Sequence, residues 1–300
     1  MGSKNIVCFG EVLWDMLPSG KQPGGAPMNV AYHFSRLGMR SNIISRIGND
    51  DAGEELCAFL SRIGLSTEFI QVDDSHDTSS VLAHVGNDNE VTYDIVAPVA
   101  WDFITYEERF SGLVKQADVL VYGSLASRNP ASRDTLLRLV DQARYRAFDV
   151  NLRAPHYTQE TLELLLGKAD MVKLNAHELA ELATWYAGTS ADEREQVSRL
   201  QQRYGIAEVI VTKGANGASY YTDSAQYNCP AVRVEVKDTV GSGDSFLAAF
   251  LMQKLNGESG NRILEYATAL AAYVTTQSGA CPIYTIADIN RFVKEVYPER

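Results

Sequence analysis

The stretch Asp238-Thr239-Val240-Gly241-Ser242-Gly243-Asp244 combines the groups needed for phosphoryl transfer to an alcohol. It joins a β-rich run, Val232 to Val236, to a helical run, Ser245 to Leu255. Two glycines around a serine permit a tight turn and leave backbone N–H groups open. A helix start has unpaired N–H groups and a partial positive charge, so it attracts anions. Asp244 then adds a carboxylate beside that anion site. A phosphate cradle next to a general base can serve such a reaction. The same turn can also be a plain helix cap, with Ser242 or Asp244 accepting from the first N–H groups.

Three further segments carry usable chemistry, and each has an ordinary structural reading beside it. In Gly24-Gly25-Ala26-Pro27-Met28-Asn29, two glycines before a helix allow close backbone approach to a ligand. Asn29 offers donor and acceptor groups suited to sugar hydroxyls, or it is a helix cap. Thr212-Lys213-Gly214-Ala215-Asn216-Gly217 follows a strand-like run. It is no Walker A loop, yet a Gly-rich turn at the carboxyl edge of a sheet can border a nucleotide. It can equally be a hairpin turn into Ala218 to Thr222. Asn175 and Glu178 open another helical run and share one face. Glu178 can reach Mg2+ through water, and the same pair can form a capping box.

These segments must be held by a scaffold, and the chain alternates short strand-like runs with amphipathic ones. Ile6 to Phe9, Asn42 to Ile47, Val119 to Tyr122, Ala147 to Val150, Met171 to Leu174 and Val209 to Thr212 read as strands. Asn29 to Leu37, Ala52 to Ile63 and Arg133 to Arg144 read as helices, the first two stopped by Gly38 and Gly64. This predicts an α/β fold: a mostly parallel central sheet with helices on both faces. Ser79 to Val85 and Val91 to Val96 flank the turn Gly86-Asn87-Asp88-Asn89 as a hairpin. We group residues 12–24 with 70–99 as a small β lid inserted in a single domain of residues 1–300.

Bulk properties narrow the class. The 300 residues are 45% hydrophobic with a mean hydropathy of -0.16, as in ordinary globular proteins. Net charge is -11, with no basic stripe, which argues against nucleic-acid binding. Cys8, Cys57, Cys229 and Cys281 are scattered and form no C-x-x-C pair. That argues against zinc and for a reducing compartment. The apolar run at Ile6 is too short for a signal peptide or membrane span, so a cytoplasmic protein is expected. The five histidines show no metal-ligand spacing.

In their order along the chain, the four segments resemble the ribokinase-like (PfkB) carbohydrate kinases over essentially the whole chain. Gly24-Gly25 resembles the family's first signature. Asp238 to Asp244 resembles the second, with Ser242 where alanine is commoner. The resemblance implies that Asp244 accepts the proton of the attacking sugar hydroxyl. Gly241, Ser242 and Gly243 would cradle the transferring phosphoryl group. Thr212, Lys213, Gly214 and Gly217 would border ATP. Asn175 and Glu178 would organise Mg2+ and phosphate. Asp15, Gly24, Gly25 and Asn29 would face the sugar, with Tyr93 of the lid. Asp238 and Val240, through its carbonyl, resemble a monovalent cation loop for K+. The same resemblance implies a homodimer formed through the lids.

Gly10-Glu11-Val12-Leu13-Trp14-Asp15, Tyr122-Gly123-Ser124-Leu125 and Asp149-Val150-Asn151-Leu152-Arg153 resemble the fructokinase branch. The D-x-N-x-R pattern also occurs in kinases of 2-keto-3-deoxygluconate, where Arg153 could pair with a carboxylate. Arg153 can also be structural, paired with Asp149. Asp15, Asp94 and Asp244 suit hydroxyl donors and repel an acid. The expectation is therefore ATP-dependent phosphorylation of D-fructose at its 6-hydroxyl. A 2-keto-3-deoxygluconate kinase is the alternative, and a non-catalytic sugar or nucleotide sensor on the same fold a second.

Overall fold

The first strand, Asn5–Phe9 (β1), shows how the sequence builds the layers. Ile6 and Cys8 enter one apolar core and Val7 and Phe9 the other, because alternate side chains of a strand point to opposite faces. A strand apolar on both faces must be covered on both. The computed structural model describes residues 4–17, 20–85, 91–186 and 192–298. In chain order the other strands are Leu13–Leu17 (β2), Gly20–Gly24 (β3), Arg40–Gly48 (β4), Ile70–Asp73 (β5), Ser80–Val85 (β6) and Val91–Ile95 (β7). They continue with Val119–Gly123 (β8), Arg146–Asp149 (β9), Met171–Asn175 (β10), Glu208–Thr212 (β11), Ala218–Tyr221 (β12) and Gln226–Cys229 (β13).

Nine strands form the central sheet in the order β13-β12-β11-β10-β9-β8-β1-β4-β5. Pairing is parallel from β5 through β11, and β12 and β13 close that edge as an antiparallel hairpin. Helices Ala26–Arg36, Asp51–Arg62, Ser242–Leu255, Gly260–Thr275 and Ile286–Val296 contribute buried residues to the core on the Ile6 face. Helices Glu108–Gln116, Pro130–Val140, Gln159–Leu166, Ala176–Ala183 and Glu193–Tyr204 do so on the Val7 face. Ser242–Leu255 is buried continuously from Ser245 to Met252. Lying between the sheet and helix Gly260–Thr275, it has no solvent face to make polar. Among the described residues, no helix is long and apolar enough to cross a membrane.

A second sheet has the order β3-β2-β6-β7. β2 pairs antiparallel with β3 and parallel with β6, and β6 and β7 form the expected hairpin. The turn expected at Gly86 to Asn89 lies outside the described residues.

Three expectations are corrected. Ile70–Asp73 is not part of the second sheet; it pairs with β4 as the edge of the central one. Its register with Ser45 to Gly48 buries Ile70 against the Ile6-face core, which a short apolar run cannot reveal. Val232 to Val236, read as strand-like, carries no regular structure. Pro230 follows β13 and ends it, since proline cannot donate to a ladder, and the run beyond finds no partner strand. Finally, the helix expected from Ser245 begins at Ser242, directly on the glycine turn.

Candidate active site

The parallel strands point the same way, so their carboxyl ends collect at one edge of the sheet, where ligands bind in open α/β folds. Asp149 ends β9, Asn175 ends β10 and Thr212 ends β11. Lys173 and Asp149 are register partners on adjacent strands. Both lie on the Ile6 face, in step with Met171 and Ala147. The Lys173 ammonium donates to both Asp149 oxygens, at 2.9 and 2.8 Å, and both side chains are buried. Burial opposes the charge on Lys173, but the Asp149 carboxylate outweighs it and holds the ammonium above its ordinary pKa. Asp149 is therefore not the partner of Arg153, contrary to the structural reading of that arginine.

The helix Ser242–Leu255 starts on top of this pair. A Cβ added to Gly243 would lie 3.3 Å from Lys173 Nζ, so the ammonium sits beneath the first helical turn. Gly241 is the N-cap at φ 74°, a left-handed conformation that favours glycine. A Cβ there would lie 2.6 Å from the Ala280 methyl group. No side chain caps this helix, so the plain-cap reading of Ser242 and Asp244 does not hold. The Ser242 N–H turns back to the Thr239 carbonyl at 3.3 Å, and the N–H groups left uncapped beside it, over a buried ammonium, form a positive cradle that can take a phosphoryl group.

Asp244 turns away from the cap position toward the opposite wall. Its Oδ2 accepts from Asn29 Nδ2 at 2.8 Å. Burial pushes its carboxyl up to about 6 and Asp149 adds to this, while Lys173, Asn29 and Arg153 pull it down. Such a carboxyl is ionised at neutral pH yet close to the range where it takes up a proton.

Asn29 is buried in helix Ala26–Arg36, whose N-cap is Gly25 at φ 114°. A Cβ on Gly25 would lie 2.4 Å from the Glu11 carbonyl oxygen, and one on Gly24 would lie 2.2 Å from Asp15 Oδ2. The two glycines let β2 and the helix close around the Asp15 carboxyl. Burial pushes that carboxyl up to about 6, against the pull of Arg153. Arg153 is exposed, donates to the Leu152 carbonyl at 3.0 Å and makes no ion pair among the described residues. Its charge pulls down the carboxyl pKa of Asp15, Glu11 and Asp244 together, so the guanidinium lies within electrostatic reach of all three. Between Asp149 and Arg153 the chain turns at Asn151, which has φ 39°.

The Asn175–Glu178 pair forms the capping box. Asn175 Oδ1 accepts from the Glu178 N–H at 2.9 Å, and Glu178 Oε2 accepts from the Asn175 N–H at 2.8 Å. Glu178 Oε1 also accepts from the Leu152 N–H at 2.9 Å, tying this helix start to the loop that carries Arg153. Burial and Asp149 hold the Glu178 carboxyl above its ordinary value. With both oxygens engaged, Glu178 fits Mg2+ through water rather than directly. Among the described residues no cluster of three or more His, Cys, Asp or Glu side chains could hold a metal.

Thr212 lies beside Asn175 by strand register. The Lys213 ammonium pairs with Glu193 at 3.2 Å and donates to Ser219 Oγ, so it faces β12 rather than the cradle. The Lys213 N–H donates to the Gly217 carbonyl at 2.8 Å, closing the hairpin turn. Gly214 and Gly217 have φ 53° and 87°, and a Cβ on Gly217 would lie 2.0 Å from the Cys229 carbonyl oxygen. This segment is thus a hairpin that also forms part of the sheet edge. Asp238 accepts from the Val240 N–H at 3.0 Å and the Gly279 N–H at 2.9 Å, while Val240 is exposed.

Tyr93 pairs through its backbone with Ala83; its side chain and that of Asp94 lie outside the described residues. Trp14 is buried, donates to the Ala52 carbonyl at 2.9 Å and lies under Lys21, which makes it a packing residue.

Two residues at this edge escaped sequence reasoning. Lys173 interrupts an apolar strand, and that single charge in Met171-Val172-Lys173-Leu174 was its signal. Glu11 is 3% exposed, with one carboxyl oxygen lacking a hydrogen-bond partner. Burial pushes its carboxyl up to about 7, against its own N–H, Arg153 and the Ala26 N–H, with Asp244 adding to the rise.

Comparison with known proteins gives a consistent result. Residues 4–286 match the family model described as pfkB family carbohydrate kinase. The chain is 29% identical to probable fructokinase-5 of Arabidopsis thaliana, covering 96% of this chain and 97% of that one. A crystal structure of fructokinase with bound ATP from Xylella fastidiosa superposes with a TM-score of 0.85 at 25% identity, covering 98% and 99% of the two chains. An uncharacterized sugar kinase from Pyrococcus horikoshii in complex with ATP superposes with a TM-score of 0.82 at 26% identity, covering 97% and 99%.

Proposed function

We propose that this chain, which belongs to the pfkB family of carbohydrate kinases, transfers the γ-phosphoryl group of ATP to the 6-hydroxyl of D-fructose. The observation that carries this reading is the position of Asp244. Its carboxylate meets Asn29 of the candidate sugar wall, while the uncapped N–H groups of its own helix stand over Lys173.

Asp15 and Asn29 accept and donate to sugar hydroxyls. Asp244 orients the attacking hydroxyl and collects its proton. An aspartate suffices for this, because the phosphoryl transition state is loose and the alcohol becomes acidic late. The N–H groups of Gly241, Ser242 and Gly243 and the Lys173 ammonium take up charge that develops on the transferring group. Thr212 and the Gly214–Gly217 turn border the nucleotide. Asn175 and Glu178 would help hold Mg2+, which would supply positive charge against the phosphates. The Asp238–Val240 loop is the candidate K+ site.

Fructose is favoured because the Asp15 and Asp244 carboxyls lie at the cleft and disfavour an acidic substrate. One observation supports a second reading: the unpaired guanidinium of Arg153 could meet the carboxylate of 2-keto-3-deoxygluconate. An ADP-release assay across both sugars tests the assignment. Turnover of fructose at least tenfold above the keto-acid supports it. The reverse ratio transfers the assignment to the keto-acid, and saturable binding without ADP release would mean a sensor.

A further inference from the structure

Helix Ala26–Arg36 contacts the segment Ala280–Tyr284 through one stripe of side chains. Asn29, Tyr32, His33 and Arg36 are spaced at i, i+3, i+4 and i+7, so they share a face. The Tyr32 hydroxyl donates to the Pro282 carbonyl at 2.6 Å. His33 Nε2 faces the Ala280 carbonyl at 3.0 Å, and a carbonyl can only accept, so Nε2 carries the proton. Nδ1 then accepts from the Tyr284 hydroxyl at 2.7 Å. Burial holds the His33 ring far below its ordinary pKa, so it stays neutral and keeps this tautomer. Arg36 donates to the Tyr284 carbonyl. The strap is thus fixed to the helix that carries Asn29.

Cys281 lies in this strap, and its Sγ is 3.5 Å from Asn29 Oδ1. Burial, with Asp244 second, pushes its thiol far above the usual range, so it remains S–H and can only donate to that oxygen. With Oδ1 facing the thiol, the Asn29 amide presents Nδ2–H2 to Asp244. In the flipped orientation an oxygen would face the carboxylate and repel it.

From this geometry we infer that Cys281 is a positioning residue, which fixes the Asn29 amide so that it donates to Asp244. It does not touch the reacting atoms; it acts through Asn29. The inference rests on the reading of Asp244 as the proton acceptor. The charged and titratable groups that reach Asp244 are Lys173, Asp149, Arg153 and Glu11, with the thiols of Cys8 and Cys281. Removing the Cys281 thiol changes none of the charges, so a shift in Asp244 titration would report the amide.

The experiment compares wild type, Cys281→Ala and Cys281→Ser in two measurements. The first is the pH profile of kcat for fructose. The second needs no turnover: NMR titration of the Asp244 carboxyl in aspartate-labelled protein, assigned with Asp244→Asn. Loss of one hydrogen-bond donor predicts that Cys281→Ala lowers kcat about fivefold and moves the acid limb upward. The NMR titration should rise by about half a unit, and Cys281→Ser should restore both. Wild-type titration of Asp244 in Cys281→Ala would overturn the inference even if kcat fell. A wild-type enzyme that phosphorylates no sugar, with the titration shift present, would overturn the kinase reading and leave only the orienting of the Asn29 amide by Cys281 standing.

Discussion

Asn29 Nδ2 donates to Asp244 Oδ2 at 2.8 Å, joining residues 215 positions apart. One belongs to the first long helix and the other to the first turn of the buried helix Ser242–Leu255. That bond closes the candidate sugar wall against the phosphate cradle. It makes the carboxylate shared property of both.

The buried ion pair under the cradle has two separable roles. Lys173→Met leaves the Asp149 carboxylate buried without a partner, which should cost about 3–5 kcal/mol of stability. It should also lower kcat and move its acid limb to higher pH, since Lys173 pulls the Asp244 pKa down. The double variant Lys173→Met/Asp149→Leu should recover most of the stability and little of the activity. Full recovery of kcat in the double variant would make the pair purely structural. Urea unfolding and steady-state rates measure the two roles.

Gly24→Ala should weaken sugar binding with little change in fold. The new methyl group would lie 2.2 Å from Asp15 Oδ2, so the carboxyl must turn away. KM for the sugar is expected to rise about tenfold or more, with KM for ATP unchanged. An unaltered sugar KM would remove Asp15 from the binding site.

Stability should depend on pH through the acids of the cleft. Glu11, Asp15 and Asp244 have folded pKa values raised to about 7, 6 and 6, above the values of an unfolded chain. Between those limits the folded state binds more protons than the unfolded one, so these groups lower stability as pH rises from about 4 to 7. Glu11→Gln removes the largest contribution. It should raise Tm by about 2–4 °C at pH 8 and by much less at pH 5. Equal changes at both pH values would show that Glu11 is not raised.

Much of this arrangement is readable from residues alone, and the exceptions have physical causes. The runs Ile6 to Phe9 and Val119 to Tyr122 are apolar at every position, which only a strand covered on both faces requires. Gly241 and Gly243 around Ser242 signal a helix start bare of side chains. What stayed hidden were contacts between distant segments. Nothing local tells that Lys173 faces Asp149, because that follows from strand register. Cys281 and His33 gain their meaning only when the end of the chain folds back on the first helix. Val232 to Val236 misled because β-branched residues suit a strand, yet strand formation needs a neighbour, and Pro230 ends the one available.

Arg153 separates the two substrate readings. Arg153→Ala should change kcat/KM for fructose by less than about tenfold, because among the described residues its guanidinium makes no ion pair, its pull on the cleft acids is through space, and the sugar carries no charge. The same change should cost a carboxylate substrate about 100-fold or more. A large loss with fructose would mean that the arginine grips the hydroxyls, and the neutral-sugar argument would need revision.

The most direct test is ADP release with fructose in the wild type and in Asp244→Asn, with binding of both substrates measured alongside. Asparagine keeps the shape and removes the proton acceptor. The account predicts that kcat falls by about 10²–10⁴ while sugar and ATP still bind. A variant that turns over fructose within a few-fold of the wild-type rate would contradict it.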